Sequence, residues 1–124
     1  MSNLKQLKSY EALLTELKDK KILFRKIEGK TSLSIPTRLD GQNAVLLILW
    51  EPAPRVIQFI QILPLAIPGE YREALTILLN HINFTLPVTG FVMNEKHGVL
   101  TYRIQAFLDP NGAIASDTVG SLLT

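Results

Sequence analysis

In 124 residues the chain has no cysteine, one tryptophan and two histidines. Without a thiol there is no disulfide framework, no thiolate metal site and no cysteine nucleophile, and the absence suits a reducing compartment. Neither His81 nor His97 has a second histidine or a carboxylate at a spacing such as H-x-x-x-H. A metal site would therefore have to be assembled across the fold, and none is expected, nor any cofactor. No G-x-S-x-G elbow, glycine-rich phosphate loop or Walker sequence occurs, and Val119-Gly120-Ser121 is too generic to count. Glu70 and Glu73 fall at the start of an expected helix, where acids complement the dipole before they do any chemistry. The chain reads as a non-enzyme. Its longest apolar run, Ala44 to Trp50, falls far short of the about 20 residues that a membrane helix needs. The opening MSNLKQLKSY lacks the apolar centre of a secretory signal, so a cytoplasmic protein without a membrane partner is expected.

What is present suffices for one core. With 47% hydrophobic residues, a chain of this length buries roughly two-thirds of its unfolded surface, and residues 1–124 read as a single domain. Charge is uneven: residues 1–30 carry a balance of +4 and residues 31–124 one of −2. A basic N-terminal quarter raises the question of nucleic acid or acidic lipid. Glu11, Glu16, Asp19 and Glu28 are interleaved with Lys5, Lys8, Lys18, Lys20, Lys21, Arg25 and Lys26, and no aromatic residues alternate with them as a stacking platform requires. A solvated helix face is the better reading, with Glu16 four residues before Lys20 in the favourable order, and no nucleic-acid partner is expected.

Periodicity divides the chain into elements. Asn3 with Gln6 resembles a capping box, and Leu7, Tyr10, Leu14 and Leu17 continue at helical spacing to about Asp19. Ile22 to Glu28 and Thr31 to Ile35 read as short strands around Gly29, one of them short enough to be an edge piece. Asp40-Gly41 is a turn, Asn43 to Trp50 a continuous apolar strand, and Pro52 with Pro54 breaks it before a strand from Arg55 to Leu63. Pro68-Gly69 opens a second helix, in which Tyr71, Ala74, Leu75, Leu78, Leu79 and Ile82 form the stripe of a buried face. Asn80 and Asn83 read as caps, with Pro87 forbidding continuation. Gly90 and Phe91 start a hairpin that turns through Glu95 to Gly98, where a positive φ is expected, and returns as Val99 to Phe107. Asp109 to Gly112 then turns the chain into a short last helix from about Ser116 or Asp117. The expected class is α+β, an antiparallel sheet with helices mainly on one face, in the order α-β-β-β(-β)-α-β-β-α.

The succession Asn80, Asn83, Pro87, Gly90, Phe91, Gly98, Arg103 resembles the middle of the bacterial sensory transduction regulator, or YbjN-like, family. That family's fold is similar to the type III secretion chaperones. The resemblance covers the C-terminal half by motif and the remainder by element order. It implies a fold and a theme of dimeric partner binding, and it carries over no catalytic residue.

Surplus hydrophobicity points the same way. In Asn43 to Trp50, Val45, Leu47 and Leu49 lie on one face and Leu46, Ile48 and Trp50 on the other, and Val56 to Leu63 is nearly as two-sided. Two or three helices do not easily cover both faces of one sheet, which calls for a homodimer partner or a bound segment of another polypeptide. Leu46, Leu47, Ile48, Trp50 and Arg103 are the candidate interface residues, Arg103 sharing a strand face with Val99, Thr101, Gln105 and Phe107. The functional expectation is a dimeric protein-binding module, adaptor or chaperone-like; the alternative is a small-molecule-sensing regulator or enzyme with a pocket in the same fold.

Overall fold

Over residues 5–85, 90–94 and 96–123, which the computed structural model describes, there are three helices and eight strands. Strand β1 (Gln6–Leu7) precedes helix α1 (Tyr10–Asp19), then come β2 (Arg25–Lys26), β3 (Ser32–Leu39), β4 (Gln42–Glu51) and β5 (Val56–Ala66). Helix α2 (Gly69–Thr85), β6 (Phe91–Asn94), β7 (Val99–Phe107), β8 (Ile114–Ala115) and α3 (Ser116–Leu123) complete the order. The main sheet is antiparallel throughout, β2-β3-β4-β5-β7-β6, and β1 pairs separately with β8. The class is α+β as the pattern implies, and the short N-terminal strand is the two-residue edge piece β2.

Local chemistry sets the boundaries. Asp40 and Gly41 both have positive φ, 50° and 78°, between the closing pair Leu39 and Gln42, so a two-residue turn of the kind that matches strand twist joins β3 to β4. Ser32 O accepts from Ile27 N, so even-numbered residues of β3 present their backbone toward β2. Pro36 has the same parity but lies past the end of β2, where its missing N–H costs no ladder bond. On β5, the ladder to β7 breaks between Ile62 and Ala66, the stretch that contains Pro64. Gly98 has φ 71°, and a Cβ there would strike the Ile67 backbone and the Arg72 guanidinium, so the turn into β7 requires glycine twice over. Arg72 braces that turn, its Nε donating to Ile67 O at 2.7 Å and an Nη to Lys96 O at 3.0 Å.

Two expectations are corrected. The first helix starts at Tyr10, capped by Ser9, whose Oγ accepts Ala12 N at 3.1 Å, because Gln6 and Leu7 are drawn into the pairing with Ile114 and Ala115. Asn3 lies outside the described residues, as do residues 86–89 with Pro87. Asn83 is no cap either. Its amide spans a strand edge, donating to Phe91 O at 2.7 Å and accepting Phe91 N at 2.8 Å, as a neighbouring peptide would.

One face of the sheet carries the core. Leu33, Ile35, Ile48, Trp50, Ile57 and Phe59 meet Tyr10, Leu13, Leu14 and Leu17 of α1 and Val119 of α3 in one buried cluster, with Ile104 and Ala106 packed at its margin. Tyr10 also donates its hydroxyl to Ser32 O at 2.8 Å, fixing α1 over β3. Glu16 is 5% exposed in this layer. Its carboxylate takes Lys5 Nζ at 2.9 Å, Lys20 Nζ at 3.0 Å and the Ser116 hydroxyl. Those donors, Ser116 first, hold its pKa down to about 2 from the ordinary 4.5.

A carboxyl with a folded pKa below its unfolded one contributes stability above the unfolded value and loses it as pH falls through the folded value. The Glu16 contribution is therefore full above about pH 5 and disappears between pH 4.5 and about 2. Glu16→Gln should cost about 1.5–3 kcal/mol at pH 7 by urea unfolding and flatten the acid limb of stability against pH. An acid limb identical to wild type would contradict this role. Asn83→Ala should cost about 1–3 kcal/mol by leaving both Phe91 groups unpaired, and Asn83→Asp should recover only part, since it keeps the acceptor and loses the donor.

Candidate interaction surface

The sheet's second face is built by alternation. Residues pointing away from the core on neighbouring strands align as Ser34, Leu47, Ile60 and Arg103 across β3, β4, β5 and β7. Val45 and Leu49 flank Leu47, Ile62 and Gln58 flank Ile60, and none of these side chains belongs to the buried cluster under α1 and α3. Ile60 is buried within this face, while Leu47 and Leu49 are half-buried and Val45 is exposed. The polar side of the face is a chain of bonds, Gln105 donating to Gln58 at 3.0 Å and Gln58 to Glu51.

The candidate interface residues divide between the two faces. Ile48, fully buried, and Trp50, 4% exposed, are core, and Leu46 packs at the core's margin. All three leave the candidate interface, because helix α1 covers their side of β4. Leu47 and Arg103 stay on the open face. Arg103 sits opposite Ile60, half-buried, and its Nε is a buried donor without a hydrogen-bond partner. A buried guanidinium nitrogen without an acceptor is costly unless its charge is met elsewhere, so Arg103 marks the polar point of this face.

Helix α2 supplies the second surface. Of the expected stripe only Leu79 is buried. The helix is turned so that Thr76, Leu79, Asn80 and Asn83 face Phe91, Val92 and Met93 of β6. Tyr71, Leu75, Leu78 and Ile82, spaced four, three and four residues apart, are left to one side of that contact. Tyr71 is 59% exposed and Leu78 53%, with Leu75 and Ile82 half-buried. The stripe was legible; its orientation was not, because Asn83 decides it through a bond to a strand that sequence spacing does not couple to the helix.

The chemistry-bearing side chains are dispersed. His81 and His97 are exposed on α2 and on the β6–β7 turn, and Glu70, in the first turn of α2, and Glu73, just after it, are exposed. Among the described residues there is no group of three His, Cys, Asp or Glu that could hold a metal ion, and no helix is long and apolar enough to cross a membrane. No protein-family model matches this chain, and no curated protein matches it either.

The division of β4 gives a paired prediction. Ile48→Asp places a carboxylate in a site without partners and should unfold the protein, at a cost of about 4 kcal/mol or more. Leu47→Asp should stay folded, losing no more than about 1.5 kcal/mol, by circular dichroism and thermal unfolding. Equal effects at the two positions would mean that the faces are assigned the wrong way round.

Proposed function

We propose that this chain is a non-enzymatic, homodimeric protein-binding module of the YbjN-like kind, adaptor or chaperone-like in its work and cytoplasmic in its setting. The element order α-β-β-β-β-α-β-β-α supports the resemblance on which the family assignment rests. The observation that carries the reading is α2. A helix of 17 residues that buries one side chain in its own chain lacks the packing that normally stabilises a helix in water. Its 4-3-4 stripe of Tyr71, Leu75, Leu78 and Ile82 is the pattern that pairs with another helix, and a second copy brings the same stripe to an isologous contact. Tyr71 and Leu78, each more than half exposed, are the part of the stripe open to a second copy.

The dimer on α2 leaves the open face of the sheet to a partner polypeptide, for which Arg103 supplies the polar anchor and Leu47 with Leu49 the apolar surround. Size exclusion with light scattering at micromolar concentration should give about twice the chain mass. Leu78→Asp should give a folded protein of one chain mass, whereas Leu47→Asp should remain dimeric. A wild-type chain that is monomeric throughout that range overturns the dimer.

A further inference from the structure

At the opposite edge of the sheet from α2, a groove of about 850 Å³ runs between α1 and the segment leading into β2. Its apolar floor is Leu14 of α1 with Ile22, Leu23 and Phe24. Leu23 is 79% exposed, although Ile22 and Phe24 beside it pack against the core. Lys18, Lys21 and Lys26 line the same groove against a single acid, Glu11. Among the described residues both ion pairs converge on Glu16, from Lys5 and Lys20, so these three ammonium groups have no carboxylate of their own. Lys21 stands at φ 60°, a backbone state that non-glycine residues rarely adopt and that turns the chain from α1 into the groove wall. Leu23 and Phe24 also line a second hollow with Pro36 and Val45, so the apolar path continues round β2 to a corner of the open sheet face.

We infer that this groove docks an extended, acidic segment of a partner protein whose alternate side chains are apolar. This rests on the reading of the chain as a protein-binding module and names the chemistry of what it binds. Strand β2 is the last in the sheet, with no neighbouring strand on its outer side among the described residues, so an added strand finds free backbone groups there. Alternation in an added strand sends apolar side chains to Ile22, Leu23 and Phe24 and carboxylates toward the lysines. A second copy of this chain is the wrong occupant, because two edges carrying Arg25 and Lys26 repel. An anionic lipid surface is also a poor fit: Leu23 reaches it, but Leu14 is buried and Ile22 packs against the core, so one exposed leucine is all that such a surface would take up.

The test is fluorescence anisotropy with a labelled short peptide alternating leucine and glutamate, beside an all-glutamate peptide, one alternating leucine and lysine, and phosphatidylserine vesicles. The leucine-glutamate peptide should bind, more weakly as salt rises. The triple variant Lys18→Glu, Lys21→Glu, Lys26→Glu and, separately, Leu23→Ser should each weaken it about tenfold or more, with unchanged thermal unfolding. Leu78→Asp should leave its affinity intact while abolishing the dimer, so the groove and the dimer stand or fall separately. Equal binding of the all-glutamate or leucine-lysine peptide overturns the inference, as does binding of the vesicles alone or an affinity indifferent to both groove variants.

Discussion

The Glu16 carboxylate holds the two ends of the chain on the same side of the sheet. Lys5 reaches it from just before β1, Lys20 from the end of α1, and Ser116 from the first turn of α3. Ser116 N is bonded in turn to Lys5 O at 2.8 Å, so the small β1–β8 pairing and the acid reinforce each other. A carboxylate this buried is costly unless each lone pair has a donor, and here the donors come from both termini of the fold. The geometry makes a specific demand. Helices α1 and α3 must sit side by side over Ile48, Phe59 and Trp50, and neither is free to cross to the far face.

One-sided coverage follows from that demand, and with it the surplus that characterises the molecule. Strands β4 and β5 are apolar on both faces, but α1 and α3 are committed to one. The third helix does not make up the deficit. Strands β5 and β6 are parallel, being both antiparallel to β7, so α2 is a crossover whose ends are fixed by Ala66 and Phe91. Asn83 then pins its last turn to Phe91 and sets the rotation that leaves Tyr71 and Leu78 outside. Apolar residues that a crossover helix turns outward, and a sheet face it does not cover, are consequences of the same topology.

This separates what the sequence could carry from what it could not. The Asp40-Gly41 turn, the glycine at 98 and the break at Asp109 to Gly112 are local, each decided by residues within a few positions, and each appears where its chemistry puts it. Two-residue strands such as β1 and β8 have no period to detect, and periodicity puts the helix start too early because Gln6 and Leu7 look helical until Ile114 and Ala115 are brought beside them. The alternation in β4 separated two faces correctly but could not say which was inner. That answer depends on Tyr10, Leu13 and Leu17, distant in sequence, and it sent Ile48 and Trp50 to the core while leaving Leu47 and Arg103 at the surface.

Strand order relates the two surfaces outside the sheet face. Helix α2 lies along β6, at one edge, and the lysine-lined groove lies beside β2, at the other, with four strands between them. A dimer formed on α2, as proposed, would leave the groove at the far edge of each copy's sheet free. A partner that carries one acidic-apolar segment then meets two equivalent sites, and a partner long enough to span them gains from effective concentration without a new contact. The charge distribution fits that proposed division: Lys18, Lys21 and Lys26 of the basic N-terminal segment line the groove, at the opposite edge of the sheet from α2. On the proposed reading, self-association through the apolar stripe of α2 and partner binding through a lysine-lined groove would respond differently to salt, which weakens the second and leaves the first largely untouched.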